Sequence, residues 1–207
     1  MGLIDSFNLS VNLASLRLKN PVVTASGTFG YGEEYAGFYD LSRLGGLVVK
    51  GLSLKPKKGN PTPRIAETPS GMLNAIGLQN IGVEEFIHKR LPFLRSLDTV
   101  VIANFFGDTF LEFLETAIAL DRAEGVDALE LNISCPNKEK GWCSFGSDPV
   151  LMKELVTAIK GSVKKPLIVK LSPNTDDIRR SALIAEECGA DALSLINTIT
   201  GMVIDIK

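Results

Sequence analysis

The chain has 207 residues, with 22 Lys and Arg against 24 Asp and Glu, a formal charge of −2. That balance speaks against a protein built to grip nucleic-acid phosphate, which needs a basic face, while 45% hydrophobic and 22% charged residues exclude disorder. Three cysteines cannot all pair within the chain, the N-terminus MGLIDSFNLS carries no leader pattern, and the most apolar stretch, 190–206, is interrupted by Asp191, Asn197 and Asp205, so a cytoplasmic protein without a membrane span is expected.

Six short runs rich in β-branched and other apolar residues recur along the chain: PVVTA (21–25), GLVVK (46–50), TVVIAN (99–104), DALELN (127–132), PLIVKL (166–171) and DALSLI (191–196). They are nearly continuous in apolar character rather than alternating, the mark of strands covered on both faces. Between the later runs the apolar spacing is helical. A helix is predicted over 109–124, with Asp108 available as N-cap. A second opens at Asp148-Pro149, with a stripe of Leu151, Leu155, Val156 and Ile159, and a third runs from about 176 to 188 and stops at Gly189. VEEFIHKRLPFL (83–94) also reads as helical and carries the only histidine, His88, which fits a surface position better than a catalytic one. Between 51 and 83 lies a connection rich in Pro, Gly and Asn, a length that in a compact domain is usually functional. Its segments LSLK and RIAET are expected to form a small sheet over the mouth of the fold.

The segment 125–131 matches 189–195 at five of seven positions, 64 residues apart. An eight-stranded β/α barrel of about 250 residues has roughly 31 per unit, so this spacing is two units. A doubly wound open sheet gives the same alternation. The barrel is favoured because Ser26, Lys50, Asn104, Asn132, Lys170 and Asn197 gather at the C-terminal ends of the strands, which converge on one mouth in a barrel. The expected architecture is therefore a single α/β domain over 1–207, a (β/α)8 barrel of which about the first six units are present, stopping before strands seven and eight.

ELNISCPN (130–137) sets Asn132, Cys135 and Asn137 just past a strand end, where a cysteine can serve as proton acceptor or nucleophile. Metal binding is weakly supported, because Cys135 and Cys143 lie eight apart with no histidine nearby. Lys50 and Lys170 end two separate buried strands, a placement that suggests a shared anionic ligand. SGTFGYG (26–32) is a glycine-rich turn without dinucleotide or Walker spacing, and NAIGLQN (74–80) offers amides to a planar polar ligand.

Taken in order, ASGTFGYG, VVKGLSLKPKKGNPTPRI, NAIGLQN, ELNISCPN, KLSPN and LINT resemble the dihydroorotate dehydrogenases, flavin enzymes of pyrimidine synthesis, over essentially the whole chain. The likeness is greatest to the soluble NAD-linked class, and a cysteine in place of serine separates it from the membrane-linked class. The resemblance implies oxidation of dihydroorotate to orotate, with Cys135 removing the C5 proton while C6 delivers hydride to FMN. It implies substrate contacts at Lys50, Asn74, Ala75, Ile76, Gly77, Leu78, Asn132, Asn137, Asn197 and Thr198. The implied FMN contacts are Ala25, Ser26, Gly27, Lys50, Gly51, Asn104, Asn132, Lys170 and Ile196, with Lys170 stabilising the negative charge of reduced flavin.

By the same resemblance, electrons pass to NAD through a partner subunit carrying FAD and an iron–sulfur cluster, in a heterotetramer built on a homodimer of this chain. The segment 136–149 is the expected lid, with Trp142 and Cys143 where the family carries small residues. The FMN phosphate is expected in loops after strands seven and eight, so 207 residues alone are expected to bind flavin weakly or not at all. A fumarate-linked homodimer and an inactive truncated barrel are the alternatives.

Overall fold

The computed structural model describes residues 7–134 and 145–204. A hairpin comes first, β1 (Val11–Leu13) against β2 (Leu16–Leu18), followed by β3 (Gly46–Val48). A second hairpin, β4 (Ile65–Thr68) with β5 (Gly71–Asn74), lies in the long connection. The predicted helical run then forms as α1 (Val83–Glu85), a π-turn over Phe86–Arg90, and α2 (Leu91–Leu94), with His88 exposed as expected. From there strands and helices alternate: β6 (Val100–Phe105), α3 (Phe110–Arg122), β7 (Ala128–Asn132), α4 (Pro149–Ser162), β8 (Leu167–Lys170), α5 (Ile178–Glu187) and β9 (Ala192–Ser194).

The main sheet is parallel throughout and runs β3-β6-β7-β8-β9, in strict chain order. Each strand pairs with the next one along the chain, the connectivity of a β/α barrel; a doubly wound sheet instead reverses direction at a switch point. The fold is thus part of a (β/α)8 barrel. The predicted first strand at 21–25 is reduced to a single parallel bridge, Val23 to Gly46. Pro21 brings no N–H, and the Thr24 side chain takes over a ladder position, its Oγ1 accepting from the Val48 amide at 2.9 Å.

Register determines which side chains enter the barrel. Leu47, Val101, Ala103, Leu129, Leu131, Leu167 and Val169 face outward and join one core with Phe113, Ala117, Leu120, Leu155, Val156 and Ile159 of α3 and α4. Each fully buried Leu or Ile there contributes about 1.5–3 kcal/mol. The alternate residues Val48, Ile102, Ala128 and Ile168 face inward as a second cluster, against which Leu13 and Leu16 of the first hairpin pack, closing the N-terminal end of the barrel. Two residues further along the same strands the inward positions turn polar: Asn104, Glu130 and Lys170.

The internal echo now has a physical cause. Asp127 accepts the Val101 N–H on its carboxylate at 2.7 Å and donates its own N–H to Val101 O at 2.8 Å. Asp191 does the same to Leu167, at 2.7 and 2.8 Å. Each aspartate follows a glycine at positive φ, Gly125 or Gly189, and locks a new strand to the start of its neighbour.

Two local expectations need correction. Thr109, not Asp108, caps α3: its Oγ1 accepts from Glu112 N at 3.2 Å, while Glu112 Oε2 accepts at 2.8 Å from the N–H of Asp108, the residue before the cap. RIAET does form a strand, but with 71–74 rather than LSLK. Leu52 instead bridges Phe105 and extends the barrel wall, because its apolar side chain is buried against the outer core.

Candidate active site

A bulge in the wall shapes the polar layer. Val48 pairs with Ile102, and Val49 N donates to Ile102 O, so an unbroken register would bring residue 51 opposite Phe105. Residue 52 arrives there instead, with Leu52 N donating to Asn104 O at 2.9 Å. One extra residue therefore sits at Lys50–Gly51, and the Lys50 amide leaves the ladder to donate to Gly30 O at 2.8 Å. Bulges of this kind re-aim side chains beside functional sites. Here the bulge sets Gly51 against Asn104: a Cβ on Gly51 would lie 2.8 Å from Asn104 Oδ1. Glycine is required for the close approach.

Asn104 is 1% exposed, and its Nδ2 donates to Glu130 Oε1 at 2.6 Å. Among the described residues no donor reaches its Oδ1, which remains an acceptor. Asn132 is arranged the other way. Its Oδ1 accepts from Ser134 N at 3.1 Å and from Asn197 Nδ2 at 2.9 Å, leaving its own Nδ2 as a donor. Asn197 Oδ1 in turn accepts from the Thr198 amide and hydroxyl, at 2.8 and 3.1 Å. Lys170 is 7% exposed and donates to Ser26 Oγ at 2.9 Å, its one side-chain partner among the described residues. An ammonium this desolvated with one neutral partner is a receptor for negative charge.

The structure thus brings together Ser26 with Lys170, Gly51 with Asn104, and Asn132 with Asn197 and Thr198. The remaining predicted contacts fall on several segments. Lys50 is half-buried on the bulge, Ala25 and Gly27 form the open turn after the first bridge, and Ile196 is exposed beyond β9. Asn74, Ala75, Ile76, Gly77 and Leu78 belong to the second hairpin and its exit, and their backbone bonds stay inside the loop: Ala75 N to Arg64 O, and Asn60 N to Ile76 O. Buried Asn80 pins that loop, accepting from Gly82 N at 2.8 Å and donating to Ser53 Oγ at 2.9 Å. Its amide is consumed internally. Cys135 and Asn137, with Trp142 and Cys143 of the expected lid, lie outside the described residues.

Glu130 is a site residue that sequence reading passed over, although a charge inside an apolar run, two residues before Asn132 and so on the same face, was a usable signal. Among the described residues no cluster of three or more His, Cys, Asp or Glu could hold a metal ion. None of the described helices is long and apolar enough to cross a membrane.

The family model described as dihydroorotate dehydrogenase matches residues 8–207. The catalytic subunit of dihydroorotate dehydrogenase B (NAD(+)) from Thermodesulfovibrio yellowstonii is 59% identical over 199 residues, covering 96% of this chain and 66% of the relative. The subunit of the same name from Geotalea daltonii is 56% identical over 200 residues, covering 97% and 66%. The crystal structure of DHODH in complex with ferulenol from Eimeria tenella superposes with a TM-score of 0.75 at 23% identity, over 98% of this chain and 63% of that one. At that identity the likeness bears on the fold alone. The chain spans about two thirds of the length of the curated relatives it matches. A family match over nearly every residue, close relatives and a shared barrel lead to one conclusion: the chain belongs to the dihydroorotate dehydrogenase family.

Proposed function

We propose that the protein oxidises dihydroorotate to orotate on FMN, within a single barrel domain, and passes the electrons to NAD through a partner subunit carrying FAD and an iron–sulfur cluster. The observation that carries this reading is Lys170, a buried cation at the C-terminal end of β8 held by one neutral hydroxyl among the described residues. Around it, a fixed acceptor (Asn104 Oδ1) and a fixed donor (Asn132 Nδ2) suit the edge of a planar ring that carries both N–H and C=O groups. Gly51 leaves room for that ring to lie close to the backbone. These features fit a flavin, whose bound form supplies the hydride acceptor.

The chain's own residues do the rest. Cys135, two residues beyond Ile133 where β7 opens onto the mouth, takes the C5 proton of dihydroorotate. A free thiol has a pKa of about 8.5, near enough to neutrality for a modest environmental shift to make it a competent base. Lys50 on the bulge anchors the substrate carboxylate, and Asn74 to Leu78, Asn132, Asn137, Asn197 and Thr198 orient the pyrimidine ring. Ala25, Ser26, Gly27, Gly51, Asn104 and Ile196 line the flavin side, and Lys170 stabilises the charge that develops on reduction. The relatives' name, a catalytic subunit of an NAD(+) enzyme, supports the electron-transfer partner. The test is orotate formation by wild type and Cys135→Ala. The variant is expected to keep its flavin and lose about 10²–10⁴ in turnover; unchanged turnover would remove Cys135 from the mechanism.

A further inference from the structure

We propose that Glu130 is a positioning residue that fixes the amide of Asn104 in one of its two orientations, and so makes this polar layer demand a hydrogen-bond donor from the ring it receives. The inference rests on the flavin reading given above.

Glu130 and Asn104 are directly paired residues of β7 and β6, both facing into the barrel, and both are buried, at 4% and 1% exposure. A primary amide is nearly symmetric in shape, so packing alone does not choose between its oxygen and its nitrogen. A carboxylate does choose, because it accepts hydrogen bonds while the amide offers hydrogens only from nitrogen. With Nδ2 held at 2.6 Å by Glu130 Oε1, Oδ1 is turned toward Gly51, a wall position without a side chain. The glycine on the bulge puts no side chain of its own against that oxygen. Below the pair lies the apolar layer of Val48, Ile102, Ala128 and Ile168, which has no polar group to compete for the amide. Glu130 itself touches neither substrate nor flavin in this account; it acts through Asn104.

The test titrates the purified protein with oxidised FMN and follows affinity, the visible absorption of the bound flavin and thermal stability. The proteins compared are wild type, Glu130→Leu, Glu130→Gln, Asn104→Asp and the double variant Asn104→Asp/Glu130→Gln. Glu130→Leu is expected to bind FMN about tenfold or more weakly, the effect of losing a hydrogen bond to a charged group, with displaced flavin absorption maxima at saturation. Asn104→Asp sets two carboxylates against each other and is expected to lose as much. In the double variant the glutamine donates and the aspartate accepts, with an oxygen again facing Gly51, so affinity and spectrum return to within about threefold of wild type. Glu130→Gln alone, which allows either amide to flip, falls between.

Should Glu130→Leu fail to fold, the single and double aspartate variants still decide. Wild-type affinity and spectrum in both Glu130→Leu and Asn104→Asp would overturn the proposal, and so would a double variant no better than Asn104→Asp alone. A change confined to thermal stability, with an unaltered flavin spectrum, would assign Glu130 a structural role and overturn it equally. Failure of the wild-type barrel to take FMN with its strands seven and eight in place would overturn the flavin reading itself and this inference with it.

Discussion

Substituting Gly51 by alanine probes the bulge and the polar layer at once. The added methyl would sit 2.8 Å from Asn104 Oδ1, 3.3 Å from Phe106 Cδ1 and 3.4 Å from Phe106 Cε1, where ordinary contact begins near 3.4 Å. A displacement of about 0.6 Å (3.4 − 2.8) is needed on the Asn104 side. Neither neighbour can give way easily. Asn104 is tied to Glu130, and Phe106 is fully buried with the Lys57 ammonium 4.9 Å above its ring. Overpacking of this kind costs about 1–3 kcal/mol, and at this chain length each kcal/mol lowers Tm by about 2–4 °C. The expected fall is therefore roughly 2–12 °C. The same methyl occupies the space left for the ring, so the Kd for FMN is expected to rise about tenfold or more. Differential scanning fluorimetry and flavin fluorescence titration read the two effects separately. An alanine variant with wild-type Tm and wild-type FMN affinity would refute the close approach of Gly51 and Asn104, and with it the geometry of the polar layer.

Three further substitutions have separable outcomes. Lys165 donates to Leu120 O at 3.1 Å, Asp121 O at 2.5 Å and Ala123 O at 2.7 Å, closing the end of α3. Lys165→Met is expected to destabilise the chain by about 1–3 kcal/mol in urea denaturation while leaving FMN affinity unchanged. Burial opposes the charge of Asp191, but the Leu167 amide and the Lys160 ammonium outweigh it and hold the carboxyl below its ordinary value. A carboxyl depressed in the folded state contributes stability above its unfolded pKa and loses it as pH falls through the folded one. Asp191→Asn is therefore expected to be less stable than wild type at neutral pH and to approach it below about pH 4; parallel stability curves from pH 7 to pH 3 would contradict this. Lys170→Met removes the buried cation, and flavin affinity is expected to drop about tenfold or more, with a lower midpoint potential for any flavin that remains bound.

The barrel was legible because its strands are covered on both faces and so appear as unbroken apolar runs, and because the helices between them carry clear stripes and caps. The repeated Gly-x-Asp-Ala-Leu segment was legible as a two-unit spacing, although its cause, an aspartate bonded to the neighbouring strand, needs the pairing of β6 with β7 and of β8 with β9 to be seen. The first strand was overestimated because apolar content does not reveal that Pro21 and the Thr24 side chain leave only one bridge.

Within the site, Lys170, Asn104 and Asn132 were readable as polar residues at strand ends. Which atoms they offer was not, since that depends on partners 26, 65 and 144 residues away. The bulge at Lys50–Gly51 was invisible for the same reason: an extra residue in one strand exists only relative to its neighbour's register. Glu130 was hidden by the assumption that a buried strand carries its chemistry at its end.

The central claim is that this barrel mouth holds a flavin and reduces it with dihydroorotate. The direct measurement is anaerobic mixing of the FMN-loaded protein with dihydroorotate, following the visible flavin band and the orotate formed. The account predicts bleaching of the flavin with one orotate released per flavin, and loss of that bleaching in Cys135→Ala while the flavin stays bound. A protein that holds FMN but leaves it oxidised in the presence of dihydroorotate would contradict it.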